Sequence, residues 1–293
     1  MTVRIAILGP GRVGVALARR FHGAGAAVLG LLGRDPARTA AAVAAADCGR
    51  VLAWSDVARA HAVVFAVGDP DLPAAIADAV ARGAHRRCAL WLHTSGRHGL
   101  EVFAAAAGHG VRRGALHPVA PFADATAGAE ALVGAPALLE AEPRAERLLR
   151  RLATLLGMVP IVVSAVDRTR YHAACALAAN GTTALRSVVD AAFAQAGTLS
   201  ADQRRAVADA LMGAAVHGAG VRGAAAALSG PVRRGDAATV ALHLRALAAA
   251  LPDAARIHAA LMQHALQLAA AEGLAADRVA AVRAVLAAAA EDR

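Results

Sequence analysis

Short apolar runs rich in β-branched residues alternate with helix-forming stretches through the first half of the chain. Val3 to Leu8 reads as a first strand, and Arg12 to Ala24 as the helix that follows it. Ala27 to Leu32 is again strand-like, and Pro36 to Ala46 is helical with proline in its first turn, where a missing N–H costs nothing. A weak strand is expected at Val51 to Trp54 and a clear one at His61 to Val67, before a helix over Leu72 to Arg82. Strands over Cys88 to His93 and Val111 to Leu116 follow. Ala135 to Glu140 and Val159 to Val163 complete the sheet around a helix from Pro143 to Leu156. Continuous apolar strands separated by helices indicate an α/β fold, a doubly wound and mainly parallel sheet covered on both faces.

After Ser164 the strand signals stop. Asp167 to Ala196 reads as one long helix ending at Gly197, and Ser200 opens another with Gln203 three residues on, a capping-box pair. A break at Ser229-Gly230-Pro231 precedes Asp236, which is placed to cap the next helix, and Pro252 and Gly273 punctuate two more. The expected organisation is a sheet domain over residues 1–165 and an all-helical domain over 166–293.

Composition narrows what such a chain does. Hydrophobic residues make up 58% of it, enough for a substantial core, while aromatic residues are 3% and alanine is abundant. Alanine favours helix but brings little packing area, so the core relies on Leu, Val and Ile. The formal charge of +9 invites a nucleic-acid reading. The basic residues are scattered, however, with no run interleaved with stacking aromatics, so no nucleic-acid partner is expected. All 31 basic residues are arginines. Without lysine, Schiff-base chemistry and a lysine proton donor are excluded, whereas arginine clamps anions without releasing a proton. Cys48, Cys88 and Cys175 form no CxxC pair and read as structural thiols of a reducing cytoplasm. No window is long and apolar enough for a membrane span, and the amino terminus reads as a strand rather than a leader.

Gly9-Pro10-Gly11-Arg12-Val13-Gly14 closes the first strand and opens the first helix. Gly9 permits a tight turn, Gly11 a close approach to a pyrophosphate, and Gly14 tight helix–strand contact. The free N–H groups of the helix start then face the phosphates, as in a Rossmann-type dinucleotide site. The end of the second strand chooses the cofactor. Gly33-Arg34 suits the 2′-phosphate of NADP, whereas Asp35, one step on, keeps NAD possible.

Ligands of an open parallel sheet sit beyond the carboxyl ends of its strands. Two polar clusters are expected there, His93-Thr94-Ser95-Gly96 and His117-Pro118. Their imidazoles and hydroxyls can orient a carbonyl or protonate a developing alkoxide, or else serve only as turn residues bonded to backbone. No carboxylate or cysteine stands at ligand spacing, so no metal is expected.

These segments, together with Tyr171-His172-Ala173-Ala174 leading to Asn180, and Leu228-Ser229-Gly230-Pro231 leading to Arg234-Gly235-Asp236, carry a family resemblance. The chain resembles the Rossmann-like, DUF2520-containing proteins of the 6-phosphogluconate dehydrogenase C-terminal-like superfamily along essentially its whole length. That resemblance implies an NADP-dependent oxidoreductase related to ketopantoate and pyrroline-5-carboxylate reductases. It also implies that the first long helix of the second domain carries catalytic groups, and that the helical domain forms a homodimer. Related β-hydroxyacid dehydrogenases and ketopantoate reductases carry a lysine on that helix. This chain has none, so their mechanism does not transfer. The proton donor is then a His, Tyr, Ser or water, with His117 and His172 as the acid/base candidates and Asn180 and Ser95 holding the substrate oxygen; Tyr171 and His172 can instead serve only helix packing. The Ser229-Gly230-Pro231 turn, with Arg233 and Arg234, either closes over an anionic group or simply joins two helices.

The expected activity is NADP-dependent reduction of a C=O or C=N group on a small, carboxylate-bearing substrate, with a ketopantoate-reductase-like reaction as the sharpest form. The alternative is a non-catalytic dinucleotide sensor or partner-binding protein.

Overall fold

The computed structural model of the chain describes residues 2–86, 90–164 and 166–291. Cys88, where the fifth strand is expected to open, and residue 165, the expected domain boundary, lie outside the described residues. The chain divides by its internal packing into two compact units, Met1–Ala179 and Asn180–Arg293. The division falls within the long helix expected over Asp167 to Ala196, whose first turns bond to the sheet through Arg168 and Tyr171.

Among the described residues the first unit holds eight strands. They are β1 (Arg4–Leu8), β2 (Ala27–Leu32), β3 (Arg50–Val51), β4 (Ala62–Phe65), β5 (Leu90–His93), β6 (Arg112–Pro118), β7 (Pro136–Ala141) and β8 (Val159–Val162). They form one sheet in the order β3-β2-β1-β4-β5-β6-β7-β8. The first six are parallel, in the crossed-over order of a doubly wound dinucleotide fold. β7 runs antiparallel to β6, and β8 parallel to β7.

Alternation along each strand feeds two cores. Ile5 and Ile7 of β1 join Val64, Leu92, Leu116 and Leu139 on one face, where helix α1 (Arg12–Gly23) contributes Leu17 and Phe21. Ala6 and Leu8 join Val63, Phe65, Trp91 and Phe103 on the other. A two-residue side-chain period makes this division unavoidable once both faces are covered.

The helices of this unit after α1 are α2 (Pro36–Ala46), α3 (Trp54–Val57), α4 (Leu72–Ala81), α5 (Ala125–Ala131), α6 (Glu146–Leu155) and α7 (Arg168–Ala176). The strand expected over Val51 to Trp54 is cut short at Val51. The Asp56 carboxylate accepts from the Arg50 guanidinium and from the Ala53 N–H, which starts a helical turn at Trp54.

The single helix expected from Asp167 to Ala196 is interrupted. α7 passes into a π turn at Leu177–Gly181 and then α8 (Thr182–Gln195). The second unit continues with α9 (Ala201–Arg222), α10 (Ala224–Ala227), α11 (Gly230–Arg234), α12 (Ala237–Ala250), α13 (Pro252–Ala271) and α14 (Ala276–Glu291). The expected caps are present. Ser200 and Gln203 bond each other's backbone, and the Asp236 carboxylate accepts from Thr239 N. Val240, Leu244, Leu266, Val282 and Leu286 centre a separate core among α11 to α14.

Phe103 is fully buried, edge-on to Phe65 at 6.0 Å between ring centroids. Replacing it with alanine removes that contact and leaves a cavity under β4 and β5. We expect Phe103→Ala to cost about 3–5 kcal/mol, read by denaturant unfolding. A loss below about 1 kcal/mol would contradict this packing.

Candidate functional site

β1 ends at Leu8 and the chain turns directly into α1. Gly9 has a φ of +116°, and a Cβ there would lie 2.4 Å from the Ala66 carbonyl oxygen. A Cβ on Gly14 would lie 2.0 Å from the Gly9 oxygen, so the helix rests directly on its own entry turn. Gly11 differs, since a Cβ there would meet nothing within 4 Å. The start of α1 carries no side-chain cap and no acidic residue in its first turn. Its first N–H groups have no helical partner, and the helix dipole adds positive charge beside open space. This donor set fits a pyrophosphate.

The other residues of the turn have structural roles. Pro10 packs beneath Gly33, where a Cβ would come within 2.6 Å of the proline ring, so the end of β2 presses on the turn. The Arg12 guanidinium donates to the Ala123 carbonyl at 3.0 Å, which leaves its backbone N–H as its contribution to the turn. Val13 packs against the core.

Arg34 and Asp35, the two candidate readers of the adenosine ribose, are placed unequally. The Asp35 carboxylate caps α2, accepting at one oxygen from Ala37 N at 2.9 Å and Arg38 N at 3.1 Å. Arg34 extends into solvent, and its guanidinium meets Asp71 at 3.3 Å.

β1, β4, β5 and β6 run parallel, so the carboxyl end of β6 lies on the same sheet edge as the glycine turn. His117 is expected just past a strand. It lies within β6, opposite Leu138, because β6 continues to pair with β7 as far as Pro118. Its Nδ1 is 2.8 Å from the Tyr171 hydroxyl. Its Nε2 side faces Gly96, where a Cβ would come within 2.7 Å. Burial holds the imidazole neutral, with its pKa lowered to about 4, reinforced by the nearby charges of His172 and Arg168. The Tyr171 phenol is pushed up instead, by burial and by its hydrogen bond with Cys175, so it stays protonated. When His117 carries its proton on Nε2, the phenol donates to Nδ1.

One turn before Tyr171, Arg168 forms a buried ion pair with Glu140 of β7. Glu140 lies opposite Ala115 and His117 opposite Leu138, so Glu140 and His117 leave the sheet on one face. α7 therefore docks at two points, Arg168 on Glu140 and Tyr171 on His117.

The remaining candidates are dispersed. Ser95 is buried, and its hydroxyl oxygen accepts from the backbone of Arg97 and His98, both at 3.1 Å, which leaves only its proton to give. His93 is fully buried, faces Phe103, and lies 3.1 Å from the Gly99 carbonyl, so it belongs to the core. His172 is exposed on α7. Asn180 is exposed in the π turn and falls at the head of the second unit. What sequence does not show is that Tyr171, the chain's only tyrosine, is the partner of His117. Among the described residues no helix is long and apolar enough to cross a membrane, and no group of three His, Cys, Asp or Glu could hold a metal ion.

Strand order, glycine turn and helical second unit together define a Rossmann-type protein with an appended helical domain. Residues 1–118 match the Rossmann-like domain family and residues 135–265 match a domain of unknown function, DUF2520. The chain is thus a Rossmann-like, DUF2520-containing protein. No curated protein matches it. Among solved structures it is similar to an NADP oxidoreductase, so named as a candidate, from Bacteroides fragilis. The identity is 18% and the TM-score 0.74, with 91% of this chain and 98% of that one covered. It is similar to a Thermotoga maritima protein at 19% identity and TM-score 0.63, with coverage of 92% and 99%. It is also similar to the NADP-bound pyrroline carboxylate reductase of Plasmodium falciparum at 10% identity and TM-score 0.60, with coverage of 91% and 98%. At these identities the likeness establishes a shared fold.

Two histidines, fully buried His93 and half-buried His117, have folded-state pKa values lowered from 6.5 to about 4. The unfolded chain then binds more protons between those values. Their contribution to stability is complete above pH 6.5 and is lost as pH falls toward 4. We expect unfolding free energy to drop by about 1.4 kcal/mol per pH unit for each histidine across that window. Imidazole resonances that titrate at the ordinary histidine value in the folded protein would contradict it.

Proposed function

We propose that the chain is an NADP-dependent oxidoreductase that reduces a C=O or C=N group on a small, carboxylate-bearing substrate. The observation that carries this reading is the sharing of one sheet edge by two features, the bare start of α1 and the His117–Tyr171 pair. The solved structures of the same fold support it, since two of them are named for NADP or for a reductase.

Gly11, Arg12, Val13 and Gly14 would hold the pyrophosphate through their backbone N–H groups, with Gly9 and Pro10 shaping the turn. Arg34 would take the 2′-phosphate. NADP is favoured over NAD because one Asp35 oxygen is already committed to capping α2, while the Arg34 side chain is 89% exposed beside the turn. The bound nicotinamide supplies a hydride. The chain supplies the proton. Tyr171 is the donor, held protonated by burial; the phenolate takes its proton back from water after each turnover, and His117 at its hydroxyl holds the phenol in place. His117 or His172 as the direct acid, with Asn180 and Ser95 on the substrate oxygen, remains the competing assignment within this reading. A ketopantoate-like substrate is its sharpest form.

The lack of lysine keeps a second reading in view, a dinucleotide sensor without turnover. A homodimer through the helical unit accords with α9, which leaves Leu211, Val216 and Val221 at 61–70% exposure.

The test is oxidation of NADPH in the presence of small 2-keto acids and cyclic imino acids. We expect turnover with at least one. Tyr171→Phe should lower kcat at least ~100-fold with NADPH affinity unchanged, and His117→Asn should lower it with a flattened pH profile. Wild-type turnover by Tyr171→Phe would overturn the proton assignment. Tight NADPH binding without turnover on any such compound would favour the sensor.

A further inference from the structure

We infer that Asp71 is a cofactor-selectivity residue, which ties Arg34 across the mouth of the dinucleotide crevice so that a 2′-phosphate must displace its carboxylate. This rests on the NADP reading above.

The sheet order places β1 between β2 and β4. Arg34 follows β2, and Asp71 follows β4 in a short turn at Asp69–Asp71. Their ion pair therefore spans the strand whose end carries the glycine turn. Both ends are anchored. Gly33 is wedged against Pro10 and Thr39, which keeps Arg34 beside the turn. The Asp71 backbone N–H donates to the Gly68 carbonyl at 3.0 Å, and Pro70 stiffens the same turn.

The pair is built to exchange. Its side chains are 89% and 51% exposed, and its single contact is 3.3 Å long. An exposed pair of this kind is weak. A phosphate monoester carries more charge than a carboxylate and bonds arginine through two parallel contacts, so it wins the guanidinium. Asp71 then stays near the phosphate as a like charge, because its turn is held by the backbone. Both effects lower affinity for NADPH. NADH has no 2′-phosphate and leaves the pair intact. Asp71 thus narrows the preference that Arg34 creates.

The test is calorimetric binding of NADPH and NADH to the full chain and to Asp71→Asn, Arg34→Ala and the double variant. Asp71→Asn should tighten NADPH about fivefold, while NADH changes by less than about twofold. In the Arg34→Ala background the same substitution should gain clearly less, since only the like-charge repulsion is left to remove. Unchanged NADPH affinity in Asp71→Asn, with wild-type binding intact, overturns the inference and leaves the NADP reading standing. Weaker NADH binding in Asp71→Asn also overturns it, making Asp71 a ribose ligand. Failure of the wild-type chain to bind NADPH overturns the NADP reading and the inference with it. Equal melting temperatures of wild type and Asp71→Asn exclude a folding effect at this half-exposed position.

Discussion

The contact between Gly14 and the Gly9 carbonyl is the constraint on which the site depends. A single Cβ at either glycine would enter another residue's backbone, so α1 starts directly on the end of β1. The N-cap residue is Gly11, which has no side chain, so the first N–H groups of the helix stand without a side-chain cap over the space it leaves open. Bare donors at a helix start are costly unless water or an anion meets them. The turn thus retains polar capacity that only a ligand or solvent can use. Gly33 extends the constraint to β2 by its contact with Pro10, and in doing so it places Arg34 where a ribose phosphate would lie. The proposed phosphate binding and cofactor choice both rest on this one packing requirement.

A second consequence of packing concerns protons. β6 and β7 pair antiparallel, which brings Glu140 and His117 out on the same face. α7 meets both, through Arg168 and Tyr171, so an ion pair fixes the helix that delivers the phenol. Burial removes the imidazole and the phenol from their charged forms in opposite directions. The result is a neutral hydrogen-bonded pair over the ordinary pH range. In such a pair the phenol keeps its proton until a strong base, such as a developing alkoxide, takes it.

The amount of this that sequence carries follows from the range of the interactions involved. The sheet, its glycine turn and the caps at Ser200 and Asp236 are local patterns, and they stand where periodicity and spacing place them. Arg34 and Asp35 are adjacent in sequence, and only the α2 cap separates their roles. The histidines were harder to sort. His93 and His117 both end apolar strands, yet one faces Phe103 in the core and the other faces Tyr171. That distinction depends on which strand borders β7, and no local pattern encodes it. Sequence places Tyr171 among the possible proton donors without singling it out, because its partner lies more than fifty residues away. The π turn around Asn180 also escaped, since alanine-rich sequence on either side favours an unbroken helix.

The measurement closest to the central claim is an amide resonance map of the full chain, isotopically labelled at glycine and arginine, during titration with NADPH. The account predicts saturable shifts at the backbone of Gly9, Gly11, Arg12 and Gly14 and at Arg34, with the glycines of the second unit still. Saturable shifts confined to the second unit, or no shifts at the turn at all, would contradict the placement of a dinucleotide on the start of α1.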